Sequence, residues 1–239
     1  MDWEAIGLSV RLAAATTLIL VVLGLPFAWW LARTAVPWRP FVEALVALPL
    51  VLPPTVLGFY LLLALGPAGP LGVVWSALGG GRLVFSFEGL LVASVVYSLP
   101  FAVQPFAVAF AGLDRSLIET AWTLGRSRLA TFVTVALPLA RGGILTGVVL
   151  AFAHTLGEFG VVLMVGGNLP GETRTVSIAI YDRVQALDYA GASATALPLL
   201  VVSFLVLAAT YALRGGMVLP LAGRRAGERP VGGPAAGRG

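Results

Sequence analysis

Long apolar stretches without Asp, Glu, Arg or Lys dominate the chain. A helix needs about 20 mostly apolar residues to cross ~30 Å of hydrocarbon, and five stretches reach or approach that length. They are residues 12–31, 44–81, 89–113, 142–157 and 189–213. The second is too long for one helix, so we divide it near Gly66 and expect an outer loop over 66–88. The pattern predicts five spans, at about 10–32, 43–65, 89–112, 138–158 and 192–213.

The first stretch could instead be a cleaved signal sequence, but its flanks favour a retained helix. It has no small-residue cleavage site, and it ends in Trp29, Trp30 and Arg33. Such residues are typical of an anchor at the membrane interface.

Composition assigns the chain to the membrane. Hydrophobic residues make up 59% and charged residues 11% of its 239 residues, whereas a soluble domain has roughly 25% charged residues. We therefore predict an all-α fold, a polytopic bundle of about five transmembrane helices. The chain has no Cys, which excludes disulfides and thiolate metal sites. No catalytic, cofactor or metal site is predicted.

The arginines set the expected orientation, because loops that stay in the cytoplasm retain positive charge. All 15 basic residues are Arg. With the N-terminus outside and the C-terminus in the cytoplasm, only Arg11, Arg82, Arg174 and Arg183 fall outside. Topology thus accounts for the basic charge, and we expect a multi-pass cell-membrane protein without a nucleic-acid partner. The Gly-, Pro- and Arg-rich tail at 222–239 is expected to be disordered.

The outer segment between the fourth and fifth spans is expected to fold. Apolar residues recur there at helical spacing, at Val176, Ile180, Val184 and Leu187. This row predicts an amphipathic helix over 175–187 that lies on or dips into the membrane and could count as an extra half-span.

The cytoplasmic segment 114–128 carries signals for a short helix. Ser116 and Glu119 have the spacing of a capping box, which would start the helix, and Gly125 would end it in the left-handed conformation. The expected helix, about 117–125, has apolar residues on more than one side. It could insert into a partner's groove or lie on the inner headgroups, and the residues alone favour neither.

This segment resembles the EAA motif of ABC-importer permeases. Glu119-Thr120-Ala121, Gly125 and Val135-Ala136-Leu137-Pro138 keep the spacing of that motif; Thr120 replaces an Ala, and Val135 replaces an Ile. The resemblance implies a coupling helix that docks on an ATP-hydrolysing subunit. The coupling residues that it implies are Glu119, Thr120, Ala121, Trp122, Leu124 and Gly125.

Three further runs resemble the molybdate transport permeases. They extend from Leu48 to Gly58, from Leu156 to Gly160 and from Gly167 to Thr175. Sulfate and tungstate permeases share parts of these patterns and remain alternatives, but the run after Gly167 favours molybdate. The resemblance implies a type I ABC importer fold, in which each permease chain forms half of a pore. The implied partners are a second permease copy, two ATPase subunits and an extracytoplasmic oxyanion-binding protein.

Several residues are candidates for the translocation path or its gate. Pro53 and Pro54 break the hydrogen-bond ladder of the second span. Backbone carbonyls that lose their donors within a membrane must face protein or a cavity. This span therefore lines the path or carries a packing kink. Hydroxyl groups could donate to an oxyanion without trapping it. Glu158 would repel an oxyanion, so we favour a structural role for it, with His154 as a partner at i, i+4. The candidates are Pro53, Pro54, Thr155, Glu158, Thr173, Thr175 and Ser177.

Two other features allow more than one interpretation. Gly143, Gly147 and Ala151 form a row of small residues that permits close helix packing, either within the chain or between two copies. Arg174 and Arg183 could attract an anion at the outer mouth or dock the acidic face of a binding protein.

Other functions have less support from the sequence. The chain has no phosphate-binding loop and no Lys, so we expect a non-catalytic transport subunit whose partner hydrolyses ATP. An intramembrane hydrolase would need a nucleophile elbow or a zinc motif, and a secondary transporter would show an inverted repeat. Neither pattern is visible.

Overall fold

The computed structural model describes residues 2–213, so the tail predicted to be disordered at 222–239 lies outside the described residues. Within 2–213 the chain is helical and forms no strand. Five helices or helix pairs are long and apolar enough to cross a membrane, which confirms the predicted all-α polytopic fold. The helices are α1 (Trp3–Arg33), α2 (Arg39–Val51), α3 (Pro54–Leu65), α4 (Pro70–Ala77), α5 (Phe87–Ala111), α6 (Arg115–Thr123), α7 (Arg128–Thr131), a π-helical turn (Phe132–Ala136), α8 (Leu137–Gly157), α9 (Gly160–Gly166), α10 (Val176–Gln185) and α11 (Tyr189–Leu213).

The second span differs from the prediction of one helix over 43–65. Helix α2 ends at Val51 and α3 begins at Pro54, because Pro53 and Pro54 have no N–H to continue the hydrogen-bond ladder. The second candidate crossing runs instead over Pro54–Ala77. It takes in α4, which occupies part of the expected outer loop.

Helices α1, α5 and α8 form the centre of the bundle. Phe106 and Phe110 of α5 are fully buried and belong to one cluster with Leu20 of α1 and Ala151 of α8. Gly24 of α1 faces the Phe106 ring, since a Cβ at this glycine would lie in ordinary van der Waals contact with it, at 3.6 Å. The two longest central helices thus approach each other through an aromatic residue opposite a glycine.

The row of small residues on α8 faces α5 of the same chain. A Cβ on Gly147 would overlap the Phe106 ring and lie 2.9 Å from the Ala102 carbonyl oxygen. A Cβ on Gly143 would lie 3.2 Å from the Pro105 carbonyl oxygen. The close packing that the sequence left open is therefore an intrachain contact.

The π-helical turn before α8 follows from Pro138. A proline cannot donate to the carbonyl four residues earlier, and here the preceding Leu137 N–H bonds to the Phe132 carbonyl, five residues back. Helix α7, this turn and α8 still form one candidate crossing, Arg128–Gly157. The turn takes in Val135 and Ala136 of the EAA-like pattern and ends directly before its Leu137 and Pro138.

Helix α10 is shorter than the predicted 175–187 and buries a different face. Its buried residues are Val176, Ile178 and Ala179, and it packs on α11, α1 and α8. Val184 and Leu187, which the predicted apolar row included, are exposed. The row follows a helical repeat, but the fully buried residues of α10 all lie in its first turn, and the second turn contributes a ring contact between Tyr181 and Phe159.

Candidate coupling and translocation sites

Asp114, rather than Ser116, caps the predicted coupling helix. An Asp114 carboxylate oxygen accepts a hydrogen bond from the Ser116 backbone N–H at 2.9 Å, and α6 begins at Arg115. The prediction of a capping box from Ser116 to Glu119 is therefore wrong, and the N-cap lies two residues earlier, at Asp114. Both Asp and Ser are good N-caps, and the position at which the chain leaves α5 selects the earlier one.

The cap depends on pH. The hydrogen bond from the Ser116 backbone N–H favours the charged carboxylate and lowers the pKa of Asp114. A lowered pKa means that the cap contributes stability above the carboxyl's pKa in the unfolded chain, about 3.9, and loses it as the pH falls through the lowered value of the folded state. Capping is therefore complete at neutral pH.

We predict that Asp114→Ala speeds amide hydrogen exchange in α6 a few-fold at neutral pH, because an N-cap acceptor is lost. Asp114→Asn keeps an acceptor and is the matched control. Hydrogen–deuterium exchange of the full chain in detergent measures both. Equal protection in wild type and Asp114→Ala would mean that the cap does not hold the helix.

Gly125 ends α6 as the sequence predicts. Its φ is +80°, a conformation that L side chains rarely adopt. The Gly125 N–H bonds to the Trp122 carbonyl at 2.9 Å, and the Arg126 N–H bonds to the Ala121 carbonyl at 3.0 Å. This pair of bonds is a Schellman motif, which fixes the direction of the chain after the helix.

Helix α6, the predicted coupling helix, has an inner and an outer face. Ile118 and Ala121 are buried against the bundle, so Ala121 anchors α6 to its own chain. The residues exposed for a partner are Leu117, Glu119, Thr120, Trp122 and Leu124. An apolar outer surface on so short a helix suits a docking element.

The broken second span contacts the turn that follows α8. A Cβ on Gly160 would lie 2.7 Å from the Pro54 Cβ, and a Cβ on Gly58 would lie 2.9 Å from the Met164 Cβ. Helices α3 and α9 therefore pack closely through glycines. Two of the predicted path elements, the proline break and the turn that contains Glu158, are neighbours.

Glu158 lies in that turn with its carboxyl group buried. Its side chain is 4% exposed, and neither carboxyl oxygen has a hydrogen-bond partner in the described part of the chain. The buried hydroxyl of Ser94 is close to the carboxyl, but outside hydrogen-bond geometry. Burial of a carboxylate without a partner is costly.

The expected pairing of His154 with Glu158 is wrong. His154 Nδ1 lies 2.9 Å from the Ser98 hydroxyl, and the imidazole ring stacks on Phe101 with ring centroids 3.8 Å apart. Helix α8 ends at Gly157, so Glu158 is no longer in helical register with His154. A residue of α5 provides the partner instead.

We predict that Glu158→Gln leaves the melting temperature of the purified chain unchanged or raises it by a few degrees. The amide is nearly isosteric and carries no charge to desolvate. Glu172→Gln removes an exposed carboxylate and should leave the melting temperature unchanged. A clear fall with Glu158→Gln alone would mean that the charge of Glu158 has a stabilising partner.

The other path candidates divide between the outer segment and the α5–α8 interface. The Thr173 hydroxyl donates to the Gly166 carbonyl at 2.7 Å and accepts from the Leu169 N–H at 3.2 Å. Thr175 precedes α10 and is buried, and its hydroxyl has no partner within residues 2–213. Ser177, in the first turn of α10, is half-buried. Thr155 joins the Ser98 hydroxyl at 2.8 Å in the α5–α8 interface.

The two outer arginines are paired locally. Arg174 Nε donates to Asn168 at 2.6 Å, and Arg174 lies 3.7 Å from the Asp182 carboxylate. Arg183 lies 3.3 Å from Asp188. These contacts offset part of the positive charge that could attract an anion.

Three serines beside the candidate path residues were not among the residues predicted from the sequence. Ser94 and Ser98 of α5 face the end of α8, and Ser9 of α1 accepts from the Val176 N–H at 2.8 Å. Their signal was weak: single hydroxyls inside apolar stretches, with Ser94 and Ser98 spaced i, i+4. A hydroxyl in a membrane helix can also bond within its own helix, so the spacing alone identifies no partner.

The chain matches a known protein family over a range that includes the EAA-like segment and most of the bundle. Residues 12–218 match the family described as binding-protein-dependent transport system inner membrane component. The chain belongs to this family. It is a multi-pass membrane protein and a transport component of the kind that the sequence predicts. The hydrolase and secondary-transporter alternatives lose their support.

Individual relatives of this inner membrane component are similar over most of its length. The molybdenum transport system permease protein ModB of Azotobacter vinelandii is 54% identical over 213 residues, 89% of this chain and 94% of the relative. A probable sulfate transport system permease protein, cysT, of Zygnema circumcarinatum is 36% identical over 195 residues, 82% of this chain and 67% of the relative.

A solved structure supports the fold. A bacterial alginate ABC transporter, in complex with a periplasmic protein bound to an alginate pentasaccharide, superposes with a TM-score of 0.71 at 19% identity. The match covers 88% of this chain and 77% of that chain. At this identity the likeness establishes the fold of an ABC importer permease alone.

Proposed function

We propose that this chain is the membrane-spanning subunit of an ATP-driven importer that carries molybdate into the cell. The observation that carries the proposal is the 54% identity, over 89% of the chain, to a molybdenum transport permease. An alignment of 213 residues in a chain of 239 spans both the EAA-like segment and the outer loop at 167–175, the two regions that the sequence linked to function.

The proposed partners follow from the faces of the molecule. The exposed side of α6, with Leu117, Trp122 and Leu124, docks on an ATPase subunit. One such helix per chain requires two permease copies to engage two ATPase subunits. An extracytoplasmic oxyanion-binding protein delivers the ion at the opposite end. Closure of the ATPase subunits on ATP draws the two coupling helices together and opens the pore outward, and hydrolysis resets it.

The proposed path runs beside the break between α2 and α3. Pro53 and Pro54 leave carbonyls of the preceding turn without intrahelical donors, and such groups are tolerated at membrane depth only against protein or a cavity. The hydroxyls of Thr155, Thr173, Thr175 and Ser177 and the Glu158 turn shape the outer half. Glu158 lies beside this path as a structural residue and does not bind the oxyanion, because its carboxylate would repel an anion.

Transport in proteoliposomes tests the proposal. The permease is reconstituted with its ATPase subunit, and its binding protein is added after loading with molybdate, tungstate or sulfate. We expect molybdate uptake that requires both ATP and the binding protein. Uptake of no oxyanion under these conditions would refute the proposal.

Sulfate transport is the second candidate, because a probable sulfate permease is 36% identical. Sulfate uptake at the molybdate rate would favour this candidate. Uptake of tungstate and molybdate without uptake of sulfate would indicate that the permease selects the larger oxyanions.

The orientation can be tested because the chain has no Cys. We predict that a Ser116→Cys variant reacts with a membrane-impermeant maleimide only in inside-out vesicles. A Glu172→Cys variant should react only in right-side-out vesicles. Both positions are exposed, so accessibility reports the side of the membrane. The reverse pattern would place the N-terminus in the cytoplasm.

A further inference from the structure

A cavity opens beside the coupling helix, and of its lining residues only Trp122 belongs to the surface proposed to dock on the ATPase subunit. It has a volume of about 590 Å³ and lies between the end of α1, α6 and the α7 segment. Its main lining residues are Trp29, Trp30, Arg33, Trp122, Arg128 and Phe132. Aromatic walls and two guanidinium groups therefore meet at one end of the bundle.

The cavity is electropositive. Arg33 and Arg128 line it, and Arg115 adds a third positive charge near Arg33. No acidic residue is among the residues that line it. The ion pairs found within residues 2–213 use Arg39, Arg174 and Arg183 instead. Neither arginine that lines this cavity forms an ion pair within the described part of the chain.

Packing, rather than a salt bridge, holds Arg33 in place. Its guanidinium lies over the Trp29 ring, 4.7 Å from the centroid, and one terminal nitrogen lies 3.5 Å from the Phe110 carbonyl oxygen. Its Nε is buried and has no partner in the described residues. A planar guanidinium with a fixed orientation and free donors suits a phosphate group.

The surroundings match a lipid better than a free ion. Trp30 and Trp38 are exposed and lie side by side at the end of α1 with tilted rings, whose centroids are 5.6 Å apart; aromatic residues are enriched at membrane interfaces. Pro26 and Leu129 add apolar walls below the arginines. Phosphate and acyl chains would thus each find a matching surface, and basic pockets between membrane helices bind anionic headgroups in this way.

We propose that this cavity binds the headgroup of an anionic phospholipid from the leaflet next to the coupling helix. Trp122 belongs both to the cavity and to the exposed side of α6. A bound lipid therefore fills the space behind the coupling helix and steadies it. The proposal concerns the permease by itself and does not depend on which oxyanion it carries.

Native mass spectrometry of the full chain tests the proposal without ATPase or transport. The chain is reconstituted in nanodiscs of phosphatidylcholine with a minor fraction of phosphatidylglycerol and then released for analysis. We expect wild type to retain phosphatidylglycerol in preference to phosphatidylcholine. Arg33→Gln and Arg128→Gln should each lower this retention about fivefold. Arg128 is exposed, so its variant still reports if Arg33→Gln does not fold.

Controls separate this site from general charge effects. Arg141→Gln removes an exposed arginine of α8 that does not line the cavity, and it should retain phosphatidylglycerol like wild type. Excess inorganic phosphate should not displace the lipid. Equal retention of both lipids, unchanged retention in both cavity variants, or displacement by phosphate would overturn the proposal. Complete displacement by the ATPase subunit would assign the cavity to protein docking and overturn it as well.

Discussion

A Gly125→Pro variant will lose most of its association with the ATPase subunit. Gly125 has a φ of +80°, whereas proline fixes φ near −65° and has no N–H. The bond from Gly125 to the Trp122 carbonyl would therefore be lost, at a cost of about 1 kcal/mol, and the chain could no longer adopt the positive φ that ends α6. Leu124 and the chain after it would leave their docking positions. Co-purification in detergent, with titration of the ATPase subunit, measures the loss.

The chain offers a closely matched control in Gly79. This residue has a φ of +81°, and its N–H bonds to the Ser76 carbonyl at 3.0 Å. The Gly80 N–H bonds to the Trp75 carbonyl, so α4 ends in the same Schellman motif as α6. Helices α4 and α6 flank opposite ends of α5.

Gly79→Pro should do comparable local damage and leave ATPase association unchanged. Gly125→Ala keeps the N–H and bears only the cost of positive φ, about 1–2 kcal/mol, so it should weaken association partly. Association that survives Gly125→Pro would show that α6 is not the docking element. An equal loss with both proline variants would indicate general misfolding.

The bundle was predictable because lipid restricts the choices that a sequence has. Backbone groups in hydrocarbon must be satisfied within helices, so a charge-free stretch of about 20 residues is sufficient to indicate a span. The end of α6 was predictable for a similar reason. Few residues tolerate positive φ, and Gly125 stands where the helical pattern stops.

The contacts inside the bundle were harder to predict, because several partners satisfy the same local rule. The helical spacing predicted that Glu158 pairs with His154, but α8 ends between them at Gly157. The observed partner of His154 is Ser98, which lies 56 positions away in sequence. Both Asp114 and Ser116 can cap a helix. Only the path of the chain out of α5 decides between them.

The second span shows the limit of hydropathy on its own. The stretch 44–81 has no charged residue, so hydropathy does not locate the crossing within it. Pro53 and Pro54 signal a break, but not which side of the break crosses the membrane. In the structure, α3 and α4 together form the segment that is long and apolar enough to cross, and α9 packs on α3 where Val161 and Met164 lie against Gly58. Long-range packing of this kind leaves no local signal.

The same packing argument predicts that Gly147→Leu destabilises the chain severely. A Cβ at this position would already overlap the Phe106 ring and approach the Ala102 backbone, and a backbone atom cannot move aside as a side-chain end can. Overpacking of a core costs about 1–3 kcal/mol, occasionally more. We expect a fall in melting temperature of about 10 °C and aggregation in size-exclusion chromatography. Gly7→Leu, where nothing lies within 4 Å of a Cβ, adds the same side chain to α1 and should leave both measurements unchanged.

A second substitution tests the cause of that loss. Phe106→Ala removes the ring and alone leaves a cavity in the core, which costs about 3–5 kcal/mol. Residues in direct contact have non-additive effects, so the double variant Gly147→Leu with Phe106→Ala should be more stable than the sum of the single losses predicts. The Ala102 carbonyl still opposes the new side chain, and recovery should therefore be incomplete. Strict additivity in thermal denaturation would mean that Gly147 and Phe106 are not in contact and that α8 meets α5 elsewhere.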